Sequence, residues 1–248
     1  MKIEGSRVLI SGANRGLGKA FAEAFLAAGA QKVYAGARDP GTIDDASVIP
    51  VRLDVTSEQD IRAAALQCAD IDILVNNAGA MRMQGLFEPS TFELARAEME
   101  VNYFAPYAMV RAFAPLLAKQ GGGCLVNMLS VASWYTYAFN PAYCASKAAA
   151  RALTDGLRTE LAQQGTHVVG VFAGFIDTEM AGAVKDPKVS PQQVAQRTLA
   201  GIAAGDDEVL ADDASRSLRA ALDTDRAAVR AAMVQLYAES LRAQRAGG

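Results

Sequence analysis

Residues 7–18 read Arg7-Val8-Leu9-Ile10-Ser11-Gly12-Ala13-Asn14-Arg15-Gly16-Leu17-Gly18. An apolar run of strand length passes without a spacer into three glycines, and an Ala- and Leu-rich helical pattern follows over 17–28. Glycine at 12, 16 and 18 lets the backbone turn tightly and come close to a ligand, while a helix starting here aims its N–H groups and positive dipole end at the same point. A glycine cluster alone also fits a tight turn with no ligand. Its place at the end of the first strand of a βα unit favours a cradle for the pyrophosphate of a dinucleotide.

Outward from this stretch the same alternation repeats. Strand patterns fall near 7–11, 32–36, 48–54, 72–76, 124–129, 167–173 and 208–211, and helical patterns near 17–28, 58–67, 92–119, 142–164 and 191–204. The order predicts an α/β fold, a doubly wound parallel sheet of about seven strands with helices on both faces. Ser190 before Pro191 reads as a helix N-cap with proline in the first turn. No repeat, low-complexity tract or Pro/Gly/Ser linker divides the chain, so 1–248 is expected to be one domain. Leu218, Leu222, Val229, Met233, Leu236 and Leu241 recur at helical spacing. They predict a C-terminal helical segment over 212–245 with a restart near 223–225; packing on its own domain, a subunit contact and an active-site cover all stay open for it.

Composition narrows the chemistry. The 248 residues carry a formal charge of −3, which gives no electrostatic reason to expect nucleic acid or an anionic membrane as partner. The single histidine, His167, excludes mechanisms that need two imidazoles, His-rich zinc sites among them. Cys68, Cys124 and Cys144 form no disulfide or zinc-knuckle pattern, no apolar leader precedes the first strand, and no apolar window is long enough to span a bilayer. A metal-free protein of the reducing cytoplasm is expected.

A second motif is Tyr143-Cys144-Ala145-Ser146-Lys147. Tyrosine and lysine four apart share a helix face, and a nearby ammonium favours the phenolate, which suits Tyr143 to proton transfer. Such a pair is common by chance as a surface feature. Ser130, thirteen residues upstream at the end of the fifth predicted strand, adds a hydroxyl where ligands bind in such sheets.

With the glycine loop, Asp54-Val55, Asn76-Asn77-Ala78-Gly79, Ser130 and Tyr143-x-x-x-Lys147 together, the chain resembles the short-chain dehydrogenase/reductase family over nearly its whole length. The resemblance implies a Rossmann fold and four catalytic residues. Tyr143 would be the general acid/base, Ser130 would hydrogen-bond the reacting oxygen, Lys147 would hold the nicotinamide ribose and lower the tyrosine pKa, and Asn102 would hold a relay water. Pro106 supplies an independent reason for the last role: lacking an N–H, it frees the Asn102 carbonyl and predicts a kink. The implied cofactor set is Gly12, Asn14, Arg15, Gly16, Leu17, Gly18, Arg38, Asp54, Val55, Asn77, Ala78, Gly79, Gly174, Ile176 and Thr178, joined by Tyr143 and Lys147. Ala173 stands where the family has proline, which loosens the loop that carries Gly174.

Gly36-Ala37-Arg38-Asp39 offers both an arginine and an acid near the adenine ribose. Arg38 with Arg15 favours a 2′-phosphate, hence NADP, over NAD. Ser130, Trp134, Tyr137, Phe175 and Met180, with a loop over 174–190, are expected to face an apolar or aromatic carbonyl compound. A homotetramer is expected first, and a dimer second, paired through the helices after the fourth and fifth strands. The competing readings are an NAD-dependent secondary-alcohol dehydrogenase and a non-catalytic nucleotide sensor on the same fold.

Overall fold

The computed structural model describes residues 1–246. In chain order the elements are β1 (Arg7–Ser11), α1 (Gly16–Ala27), β2 (Lys32–Ala37), β3 (Ile49–Arg52), α2 (Glu58–Gln67), β4 (Ile73–Asn76), α3 (Thr91–Met99), a π-turn (Glu100–Phe104) and α4 (Ala105–Lys119). There follow β5 (Gly123–Met128), α5 (Pro141–Leu161), β6 (Thr166–Phe172), α6 (Pro191–Ala204), β7 (Glu208–Leu210), α7 (Asp213–Thr224) and α8 (Arg226–Ala246). All neighbouring strands pair in parallel in the order β3-β2-β1-β4-β5-β6-β7. This is a Rossmann-like sheet whose winding reverses between β1 and β4, so the crevice at their carboxyl ends opens there.

The central strands are apolar in continuous runs because both faces are covered. Ile10, Val75, Val126 and Val169 meet Phe21 and Phe25 of α1 and Val194 and Ile202 of α6. Their neighbours Leu9, Leu74, Leu125 and Val168 point the other way, onto Ile61 of α2, Met109 and Phe113 of α4 and Leu157 of α5. A chain of buried side-chain amides and a hydroxyl also binds sheet to helix. Asn76 Nδ2 donates to Asn127 Oδ1 and Asn127 Nδ2 to Thr154 Oγ1, both at 2.9 Å, all within the protein interior.

Two expected elements differ in the structure. The single helix over 92–119 is split: the Ala105 N–H donates to the carbonyl of Glu100, five residues back, and the kink takes the form of a π-turn. Pro106 has no N–H to continue the α-helical ladder, and Asn102 is drawn inward by side-chain partners described below. The third strand is shorter than 48–54, because the Asp54 N–H leaves the ladder for the Asp60 carboxylate at 3.0 Å. The restart in the C-terminal segment falls at Asp225, between α7 and α8. Among the described residues no helix is long and apolar enough to cross a membrane.

Replacing Asn127 by alanine strands the buried Asn76 amide. Urea unfolding should show a loss of about 3 kcal/mol, since an unsatisfied buried polar group carries its full desolvation penalty.

Candidate active site

Three glycines make the close approach at the crevice. Gly12 and Gly16 have φ of 66° and 52°, and a Cβ on Gly18 would lie 2.0 Å from the Gly12 carbonyl oxygen. A Cβ on Gly12 would sit 3.2 Å from Ala78 Cα, and one on Gly16 3.1 Å from Thr178 Cγ2. The glycine loop is therefore pressed between the segments that follow β4 and β6. Asn77 fastens it by donating to the carbonyls of Ser11 and Gly12, while Ser11 Oγ accepts the N–H groups of Asn77 and Ala78. Arg15, at the N-cap of α1, places no side-chain acceptor on the first-turn N–H groups, and that turn holds no acid. Its donors and dipole end are free of any local anion. Leu17 and Gly18 are buried under the loop.

At the adenosine end expected from the sequence, Asn14 Nδ2 donates to Thr42 Oγ1, and Thr42 Oγ1 donates to the Asp39 carbonyl. The Asp39 carboxylate accepts the Gly41 N–H at 3.0 Å. Arg38 is exposed, and Arg15 is paired with Glu179 at 2.7 Å across the crevice. Asp54 accepts both the N–H and the hydroxyl of Thr56, which hold its carboxyl below the ordinary range, with Arg38 and Arg52 adding to the effect; Val55 beside it is buried.

On the other side of the crevice, Ser130 follows β5 and Tyr143 and Lys147 lie on the first turns of α5. Ser130 Oγ accepts the Ala132 N–H and lies beside the Tyr143 phenol. Tyr143 keeps part of its surface open to the cleft, but its hydroxyl is enclosed by protein. Asn102 joins the two walls. Its Oδ1 accepts the Ala80 N–H at 2.9 Å, and its Nδ2 donates to the Ala80 carbonyl at 2.8 Å and to Ser146 Oγ at 2.9 Å. Gly79 closes the gap: a Cβ there would sit 3.3 Å from Asn102 Oδ1 and 3.8 Å from Lys147 Nζ.

The electrostatics depart from the expected lowering of the tyrosine pKa by lysine. Lys147 Nζ donates to the Met128 carbonyl at 2.8 Å and stands 5.9 Å from the centre of the Tyr143 ring. Burial dominates both groups, pushing Tyr143 up to about 12 against the opposing Ser130 hydrogen bond, and Lys147 down to about 8.

Of the residues expected to face a substrate, Trp134 is stacked on Phe172 with centroids 4.3 Å apart, and the Arg219 guanidinium of α7 lies 5.4 Å from its ring. That ring also packs under the C-terminal segment. Tyr137 neighbours Phe139 at 5.5 Å, and burial pushes its hydroxyl up to about 12. Phe175 is half-buried, and Met180 is exposed on the short helical turn after Thr178. Ile176 bridges to Val189, and the Gly174 N–H donates to Asp212 Oδ2 at 2.7 Å. Asp212 was not singled out in the sequence, although Asp212-x-x-Ser215 is a readable capping box that caps α7. It fixes the loop that Ala173, in place of proline, was expected to loosen. The buried acid Glu98, one turn before Asn102, was also missed. His167 pairs with Asp207 at 3.2 Å at the start of β6, away from these residues.

Comparison with known proteins identifies the family. Residues 6–188 match the family model described as short chain dehydrogenase. A short chain dehydrogenase from Burkholderia cenocepacia, solved in complex with NADP, is 41% identical with a TM-score of 0.91, covering 94% of this chain and 99% of that one. A short chain dehydrogenase/reductase from Burkholderia phymatum, in complex with NAD, is 26% identical with a TM-score of 0.78, covering 88% and 93%. Dehydrogenase/reductase SDR family member 7B of Bos taurus is 31% identical over 250 residues, covering 88% of this chain and 76% of the relative. The chain belongs to the short-chain dehydrogenase/reductase family.

Proposed function

We propose that the protein is an NADP-dependent carbonyl reductase or alcohol dehydrogenase acting on an apolar or aromatic ketone, aldehyde or secondary alcohol. The observation that carries this reading is the meeting of Ser130, Tyr143, Lys147 and Asn102 across the crevice from a glycine loop with no room for a side chain at Gly18. The cradle fits a dinucleotide, with the uncapped start of α1 for the pyrophosphate, Gly79 beside Lys147 for the ribose, and Gly174, Ile176 and Thr178 for the carboxamide. When bound, the nicotinamide supplies or accepts the hydride. Tyr143 gives its proton to the oxygen that gains charge, and Ser130, beside the same phenol, stabilises that oxygen. Lys147 returns the proton. Burial, which penalises both the ammonium and the phenolate, favours that direction.

NADP is favoured because Arg38 is exposed at the end of β2 while Asp39 beside it is occupied by the Gly41 N–H. The NADP complex of the 41% identical neighbour supports it, and the NAD complex of the 26% identical one supports the alternative. Residues 174–190 act as the substrate loop, and the groove lined by Tyr103, Ala149, Leu153 and Gly156 pairs subunits into a dimer or tetramer in the cytoplasm.

Turnover with NADPH should exceed that with NADH, and Arg38→Ala should narrow the preference by about tenfold, as one charge-assisted contact is lost. A preference for NADH would mean the NAD-dependent alcohol dehydrogenase. Tyr143→Phe should lower kcat by at least about a hundredfold while leaving NADPH fluorescence binding intact. Because burial holds the phenol protonated through neutral pH, carbonyl reduction should stay level there and fall as pH rises past about 8, where Lys147 can no longer return the proton, with alcohol oxidation rising in its place. Full activity in Tyr143→Phe would mean that the tyrosine is misassigned, and NADPH binding without turnover of any carbonyl compound would indicate a sensor. Light scattering should give a dimer or larger; a monomer at working concentration would reject the paired groove.

A further inference from the structure

The peptide unit between Ala173 and Gly174 is bonded at both ends. Its carbonyl accepts the Val131 N–H at 3.0 Å, next to Ser130, and its N–H donates to Asp212 Oδ2 at 2.7 Å. A peptide is planar, so one bond on each side fixes its rotation as well as its place. On one side of this unit stands the serine assigned to the reacting oxygen, and on the other the loop 174–178 assigned to the carboxamide. Little space is left around it: a Cβ on Gly174 would lie 3.1 Å from Ala214 Cβ and 3.2 Å from Asp212 Oδ2.

Asp212 caps α7 with its other oxygen. Its Oδ1 accepts the Ser215 N–H at 2.7 Å, Ser215 Oγ donates to the Asp212 carbonyl at 2.9 Å, and both residues are buried. Asparagine and serine cap helices about as well as aspartate, so the cap alone does not call for an acid. The pair of acceptor oxygens does. Each takes a separate backbone N–H, one on α7 and one on the loop after β6, which an amide with its single oxygen cannot do at both places.

We propose that Asp212 is a positioning residue for the nicotinamide half of the cofactor: its second oxygen sets the Ala173–Gly174 peptide at the angle from which the loop 174–178 meets the carboxamide. Ala173 leaves free a backbone angle that proline would have fixed, and the bond from Asp212 supplies the restraint from 38 residues along the chain. The inference rests on the carboxamide role given to Gly174, Ile176 and Thr178, and it names the residue that holds them to that role.

Two variants keep the cap and lose the second bond. Asp212→Asn retains one oxygen for α7 and turns a donor on the Gly174 N–H, and Asp212→Ser caps but is too short to reach Gly174. NADPH followed by fluorescence should bind each variant about tenfold more weakly than the parent, whereas calorimetry with 2′-phospho-ADP-ribose, which lacks only the nicotinamide, should stay within about twofold. NADH against ADP-ribose should give the same contrast, so the outcome does not depend on which cofactor is preferred. A merely structural loss would move both ligands together. Ser215→Ala, which removes the hydroxyl but not the N–H from the cap, should lower the thermal midpoint and leave the contrast at the parent value. Equal losses of NADPH and 2′-phospho-ADP-ribose in both Asp212 variants, or NADPH bound by both as by the parent, overturn the proposal. A parent that binds NADPH no tighter than 2′-phospho-ADP-ribose overturns the carboxamide reading, and the proposal with it, before any variant is made.

Discussion

The Asn102 amide makes three hydrogen bonds of 2.8–2.9 Å, two to the backbone of Ala80 and one to Ser146. Those bonds join the segment after β4 to the helix that carries Tyr143 and Lys147. Ser146 Oγ in turn donates to the Tyr143 carbonyl at 2.7 Å, so the helix turn bearing the phenol is fastened to the opposite wall through a single side chain. Each such bond nets only about 1 kcal/mol in folding, but breaking one in the interior costs about 1–3 kcal/mol. Asn102 reaches Ala80 and Ser146 together from within the π-turn, and the turn exists where Pro106 interrupts the ladder. The irregular helix and the order of the crevice are therefore one constraint.

Burial moves the two proton-carrying groups in opposite directions, because it penalises whichever form is charged. For Tyr143 the charged form is the phenolate, and for Lys147 it is the ammonium. Burial thus favours the neutral form of each group. The carbonyl of Met128, at the last position of β5, fixes the ammonium on the side of the sheet and leaves the phenol to Ser130.

Features with a local cause could be read in the sequence. Gly12, Gly16 and Gly18 announce a close approach because only glycine fits there, Ser190-Pro191 marks the start of α6, and the spacing of Tyr143 and Lys147 places both on one helix face. Pro106 gave the kink its position but not its form, since a π-turn is selected by what Asn102 finds across the crevice. Trp134 shows the opposite limit. Its place between Ser130 and Tyr143 suggested a substrate wall, and nothing there announced that Phe172 and Arg219, both far along the chain, pack on its ring. Asp212 and Glu98 were hidden for the same reason, as their partners Gly174 and Arg82 are brought to them only by the fold.

The match to the family model ends at residue 188, yet Asp212 reaches back from the start of α7 to hold the Gly174 N–H, and Arg219 of the same helix covers Trp134. The stretch through α7 is thus not a detachable appendix. A chimera joined near Ser190 would inherit its crevice floor from one parent and the brace for it from another, so the unit that recombination can exchange intact extends at least to α7.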